Sequence, residues 1–144
     1  MASTHVAHDC LVGDNVIMSN LATLGGHVQI GNWAILGGGV LVHQFTQIGE
    51  HSLIGGGFRA VQDVPPFIIA ANHPLEYKGV NTVGLKRRGF SKKDMNLIKK
   101  VYKVFFRSEG NRKTAIEKIE SELPKTKVTQ KILDFIKYSN RGII

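Results

Sequence analysis

The chain reads as a mainly β protein: a parallel β-helix of hexapeptide repeats over residues 1–66, then a loop and a small α-helical region over 67–144. Three observations predict this. A six-residue period runs unbroken from Val6 to about Pro65. Paired prolines, Pro65 and Pro66, then remove ladder donors and stop the regular strands. Beyond them apolar residues recur at helical spacing, and the charge turns strongly basic.

Each hexad opens on an aliphatic residue, often followed by glycine and then polar residues, and carries a second small or branched residue at its fifth place. Nine follow in succession, from Val6–Leu11 through Val12–Ile17 to Ile54–Arg59. One such unit is a short strand and a corner. It cannot bury its apolar side alone, so stacking of successive units is what makes the fold stable.

With 144 residues, 42% of them hydrophobic, and no apolar run long enough to span a bilayer, the chain is neither membrane-inserted nor disordered by composition. Met1-Ala2-Ser3-Thr4 leads straight into the repeat with no signal peptide, which places the expected compartment in the cytoplasm. The one cysteine, Cys10, falls at an inward hexad position and reads as a small buried apolar residue. Residues 1–66 hold one cation, Arg59, against four acids, while 67–144 hold eighteen cations against seven. That asymmetry fits either an acidic partner or a solvated helical surface. No aromatic residues alternate with the cations as stacking platforms, so nucleic acid is not the expected partner.

In the basic region Ser91 stands as an N-cap with Asp94 three residues on, and Phe90 and Met95 are spaced as a hydrophobic staple. A helix to about Arg107 follows, with Ile98, Val101, Tyr102, Phe105 and Phe106 on one face, expected to pack within the tail. Thr114 and Glu117 form a second capping-box pattern. Ile132, Leu133, Phe135 and Ile136 mark a third helix that ends before Arg141-Gly142.

If three hexads make one coil, residues 18 apart lie over each other at about the 4.8 Å spacing of neighbouring strands. His8, Gly26 and Gln44 then form one column, Asp9, His27 and Phe45 the next, and Ala7, Gly25 and His43 a third, with His5 just upstream. A single histidine at an exposed corner is ordinary. Imidazoles gathered beside a carboxylate are what general-base catalysis needs. Asp9 is placed to hold the His8 ring in one orientation. Gly26 lets a substrate approach and offers an N–H to an oxyanion. The glycine triplets 37–39 and 55–57 also superpose, leaving a strip without side chains one third of a coil away. These glycines ease corner turns, or in a threefold assembly a neighbouring chain brings such a strip to the histidine corner.

His-Val-Ala-His-Asp-Cys (5–10), Gly-Gly-His-Val (25–28), Val-His-Gln-Phe (42–45), Gln-Asp-Val-Pro-Pro (62–66) and Gly-Leu-Lys-Arg-Arg-Gly-Phe-Ser (84–91) resemble the UDP-N-acetylglucosamine O-acyltransferases. The resemblance implies a homotrimeric left-handed β-helix. It also implies transfer of a 3-hydroxyacyl group from acyl carrier protein to the glucosamine 3-hydroxyl, the first step of lipid A synthesis. His8 would be the general base, Asp9 its orienting partner and Gly26 N–H the oxyanion donor. His5, His27, His43 and Gln44 would line the sugar and acyl pocket, and Asn81, Arg87 and Arg88 would contact nucleotide and phosphate. Gly56 would admit a long acyl chain, with His73 a further acyl-pocket candidate. The basic tail would face the carrier protein, with no cofactor and no metal.

The chain departs from the pattern at Val83, where some members carry an acid, and in the length of the loop from His73 to Asn81. It matches only about the C-terminal half of the family, so N-terminal coils are expected to be missing and the first coil to expose an unpaired edge and an uncapped core. Three rival readings stand beside the enzyme. One is the related UDP-3-O-acylglucosamine N-acyltransferase, against which the Leu-Lys-Arg-Arg-Gly-Phe stretch weighs. Another is a zinc-dependent carbonic anhydrase, which needs a histidine pair five residues apart that is absent. The last is an inactive trimerisation or scaffold fragment.

Overall fold

The computed structural model describes all 144 residues. Ten two-residue strands recur at six-residue intervals: β1 (His5–Val6), β2 (Leu11–Val12), β3 (Ile17–Met18), β4 (Thr23–Leu24), β5 (Gln29–Ile30), β6 (Ile35–Leu36), β7 (Leu41–Val42), β8 (Gln47–Ile48), β9 (Leu53–Ile54) and β10 (Arg59–Ala60). They stack as three parallel sheets. The first runs β1-β4-β7-β10, the second β2-β5-β8, and the third contains β3-β6-β9. His5 pairs with Thr23 and Thr23 with Leu41, so the register is 18 residues per coil, as the hexads predict.

Strand alternation turns one residue of each pair inward. Leu24, Ile30, Leu36, Val42, Ile48, Ile54 and Ala60 are buried, with the corner residues Ala22, Val28, Ala34, Val40, Thr46 and Ser52 filling the angles between them. In the first coil Val6 and Val12 remain 48% and 43% exposed, because nothing stacks on that side. Cys10 there is only half-buried, its thiol donating to Gly25 O at 3.1 Å.

Each corner contains one residue in the left-handed region, among them Asp9 (φ 59°), His27 (φ 59°), Trp33 (φ 64°), Phe45 (φ 64°) and His51 (φ 57°). That conformation costs a non-glycine residue about 1–2 kcal/mol. It also points the residue's N–H along the axis. His27 N–H donates to His8 O, Phe45 N–H to Gly26 O and His51 N–H to Asn32 O, all at 2.9–3.0 Å, so the hydrogen-bond ladder continues through the corners.

The prolines interrupt the hexads without ending the stack. Phe67 (φ 71°) still donates to Glu50 O, and β11 (Ile68–Ala71) joins β9 in parallel, Ile69 opposite Leu53. This coil is therefore 69 − 53 = 16 residues long, two short of the others. The antiparallel strand β12 (Glu76–Val80) completes the third sheet, where the sequence predicts only loop.

Four helices follow: α1 (Thr82–Arg87), α2 (Lys92–Arg107), α3 (Arg112–Glu122) and α4 (Lys127–Tyr138). Ser91 caps α2 as expected, accepting from Asp94 N–H at 3.0 Å. The α3 cap is Asn111, accepting from Thr114 N–H at 2.9 Å, so this helix starts three residues earlier than the Thr114–Glu117 pattern implies. The helices do not keep a separate core. One apolar cluster of 26 buried residues runs from Ala22 to Ile136, and Tyr102 OH on α2 donates to Pro66 O at 2.5 Å where the two regions meet. Phe105 and Phe106 lie at its margin, Phe106 36% exposed. The chain end returns to the coils. Asp63 N–H donates to Gly142 O, Ile144 N–H to Asp63 O, and the buried Asp63 carboxylate accepts from Gln47 N–H, Ser139 OH and Arg141 N–H. No helix is long and apolar enough to cross a membrane.

Candidate active site

The 18-residue stack brings His8, Asp9, Gly26, His27, His43 and Gln44 to the edge between the first and second sheets, in three successive coils. His8 Nδ1 lies 3.0 Å from Asp9 Oδ2, and His27 Nε2 lies 3.7 Å from the same oxygen. The His8 hydrogen bond, and then the nearby His27, hold the Asp9 carboxyl below its ordinary range. An ionised carboxylate only accepts, so Nδ1 is the donor, and in the neutral ring Nε2 keeps the lone pair that can take a proton. The His8 ring meets His27 edge-on at 5.2 Å, and His27 stacks on Phe45 at 4.8 Å.

The His8 ring also lies over Gly26. A Cβ at that position would stand 2.7 Å from Cε1 and 2.8 Å from Nε2, so the ring keeps this place only over a glycine. Gly26 N–H meets no acceptor within the chain. The equivalent amide at the next corner, Asp14 N–H, donates to the side chain of Asn32 in the adjacent coil at 2.7 Å, so an amide at this corner position can serve an oxygen that is not backbone. His43 and Gln44 line a groove of about 320 Å3 with Gly25, Gly26 and Arg59. His5 stands exposed on β1, one strand away. A wider groove, about 530 Å3, lies elsewhere, between the second sheet and α4, beside an ion pair of Glu50 and Lys131.

The other expected site residues occupy the two remaining edges. Gly56 is exposed on the glycine edge between the third and first sheets, stacked on Gly38. His73 belongs to that edge too, its ring 5.0 Å from Phe58. Asn81, Arg87 and Arg88 belong to the edge between the second and third sheets. There Arg88 Nη1 is 3.1 Å from His51 Nδ1 and its guanidinium lies over Trp33, 5.3 Å from the ring centroid. Asn81 is 3% exposed, capping α1 through Gly84 N–H and donating to His51 O at 3.1 Å. Arg87 is exposed. Within one chain, then, the base, the glycine strip and the arginines do not share a pocket.

His51 and Trp33 were not singled out by sequence, although they lie 18 residues apart in the same kind of column as Asp9 and His27. Burial drives the His51 imidazole down to about 4, with Glu50 opposing and Arg88 and Lys131 reinforcing the shift.

Residues 63–144 match the family model for UDP N-acetylglucosamine O-acyltransferase, domain 2. The acyl-[acyl-carrier-protein]–UDP-N-acetylglucosamine O-acyltransferase of Aliivibrio salmonicida is 46% identical over 142 residues, 99% of this chain and 54% of that protein. The same-named protein of Thiobacillus denitrificans is 43% identical over 144 residues, 100% and 56% respectively. Among solved structures, a UDP-N-acetylglucosamine acyltransferase from Bacteroides fragilis superposes with a TM-score of 0.96 at 41% identity, covering 99% of this chain and 56% of that one. The chain thus spans about half the length of the relatives it matches. With the match extending over the helical region as well as the coils, the chain belongs to the UDP-N-acetylglucosamine O-acyltransferase family.

Proposed function

We propose that the protein transfers an acyl group from acyl carrier protein to UDP-N-acetylglucosamine, the donor and acceptor that the names of its relatives give for them, and that the group is a 3-hydroxyacyl chain passed to the sugar 3-hydroxyl. In this reading the coils wind left-handed, residues 1–66 form the β-helical unit and 67–144 the loop and helical unit, and three chains assemble in the cytoplasm. The observation that carries the chemistry is the His8 ring, bound by Asp9 at Nδ1 and seated over the free Gly26 amide. His8 Nε2 takes the proton of the sugar hydroxyl as its oxygen attacks the thioester carbonyl. Gly26 N–H stabilises the oxyanion. Collapse expels the carrier thiolate, which leaves with the proton held on His8.

His5, His27, His43 and Gln44 line the sugar and acyl pocket. Arg87 and Arg88 hold the diphosphate, with Asn81 shaping their site. The glycine strip at Gly56, with His73 beside it, receives the acyl chain from a neighbouring protomer. The three separate edges support the trimer, since only adjoining chains bring them together. The basic helices face the acidic carrier.

Purified chain assayed with acyl carrier protein thioester and UDP-N-acetylglucosamine tests this. Turnover that falls by roughly 10²–10⁴ in His8→Ala, with folding retained, is the expected result. Equal activity in both proteins removes His8 from the mechanism. A folded, trimeric and inactive wild-type chain points to the scaffold reading instead.

A further inference from the structure

The acyl-transfer steps proposed above use no metal, yet the histidine edge gathers three donors that suit one. One ring nitrogen each from His8 and His27 and a carboxylate oxygen of Asp9 all lie within 4.8 Å of one another. Two imidazoles and a carboxylate suit zinc and its first-row neighbours. Bonds of about 2.0–2.2 Å in a tetrahedral site put ligand atoms roughly 3.4 Å apart. The measured separations from Asp9 Oδ2, 3.0 Å to His8 and 3.7 Å to His27, bracket that distance.

The backbone beneath is fixed while the donors are free to adjust. Asp9 and His27 occupy the same left-handed corner position in adjacent coils, tied by His27 N–H to His8 O at 3.0 Å. The three side chains are exposed, so small rotations about their own bonds close the set. Phe45 stacked on His27 limits where that ring can go. Residues 1–66 contain a single cation, Arg59, so little positive charge opposes an incoming dication.

We infer that this edge binds one divalent transition-metal ion, zinc in the first instance, through His8, Asp9 and His27, and that the bound ion inhibits the protein. The inhibition half rests on the acyl-transfer reading. An ion on His8 Nδ1 and Asp9 breaks the contact that orients the ring, and its remaining coordination positions occupy the space above Gly26 where the reacting oxygen must sit. The binding half stands on geometry alone.

Calorimetric titration of the full chain with zinc chloride in a non-chelating buffer, alongside visible absorption of the cobalt-loaded protein, tests it. The expected result is one site per chain, a cobalt spectrum of low coordination number, and affinity lowered roughly tenfold or more in both Asp9→Asn and His27→Gln. Circular dichroism establishes that both variants stay folded. Absence of binding by the wild type, or wild-type affinity in both variants, overturns the site. In the acyl-transfer assay zinc should stop turnover and a chelator restore it. Binding that leaves turnover unchanged overturns the inhibition. Zinc bound by a chain with no acyl transfer counts against the functional reading while the metal site stands.

Discussion

The His8 imidazole rests on Gly26 one coil away, with no space for a methyl group between them. Gly26→Ala therefore pushes the ring off its position above the corner amide, although that amide remains. Because His8 is exposed, the ring can swing aside, and stability should change little. A base displaced by about 1 Å costs on the order of a hundredfold in turnover. Steady-state kinetics with a parallel urea titration checks this; an unfolded variant, or one with wild-type turnover, contradicts it.

Gly56 makes the opposite case among the stacked glycines. A Cβ there comes against the backbone of the coil below, 3.2 Å from Gly38 O and 3.5 Å from Gly38 N, a contact that a shift of a few tenths of an ångström relieves, whereas one at Gly37 would strike Gly56 N at 2.5 Å. Gly56→Met should fold with stability within about 0.5 kcal/mol of the parent, as a surface change does. Its side chain should fill the strip that receives the acyl chain, shifting preference to thioesters shorter by several carbons. Competition between two chain lengths, read by mass spectrometry, gives the answer, and an unchanged preference removes Gly56 from the acyl pocket. Gly37→Ala, by contrast, should be destabilised because backbone stands in the way.

Why the histidine edge was readable and the arginine edge was not follows from periodicity. His8, Gly26 and Gln44 are placed by an 18-residue repeat that the sequence states outright, so arithmetic finds their neighbours. His51 meets Arg88 across 37 residues that include a shortened coil, a hairpin and a helix, and no period connects them. The hairpin itself was hidden because Glu76-Tyr77-Lys78-Gly79-Val80 follows prolines and contains glycine, while its pairing is settled by β11. Asn111 lost to Thr114 as a predicted cap for a local reason: both residue types cap well, and packing of Ala115 and Ile119 decides the start. The shared core was invisible because helical spacing shows that a face is apolar without showing what it meets.

Asp63 fastens the chain end to the coils. Its buried carboxylate accepts from Gln47 N–H at 2.8 Å and from Ser139 OH at 2.5 Å, groups from opposite ends of the fold. Asp63→Ala leaves both donors buried without an acceptor, a loss of about 3 kcal/mol or more. Asp63→Asn keeps one carbonyl oxygen and should lose roughly half as much. Urea midpoints of the two variants test the ranking. Equal midpoints for the alanine variant and the parent would show that the C-terminal residues add no stability through this contact.

His51 should make the fold acid-sensitive. It is 8% exposed, stacked between Trp33 and Phe67, and faces the charges of Glu50, Arg88 and Lys131. Burial lowers its folded value to about 4, against an unfolded value of 6.5. Between those limits the unfolded chain binds a proton that the folded chain refuses, so stability falls with decreasing pH. The contribution of neutral His51 is fully present above pH 6.5 and is lost as pH falls towards about 4. His51→Phe places at this corner a residue type that Phe45 and Phe67 already show in the left-handed conformation. Comparing urea unfolding at pH 7 and pH 5, the parent should lose on the order of 1 kcal/mol more than the variant. The same pH dependence in both proteins would mean that a different group governs the acid response, since His51 is the one titratable side chain removed.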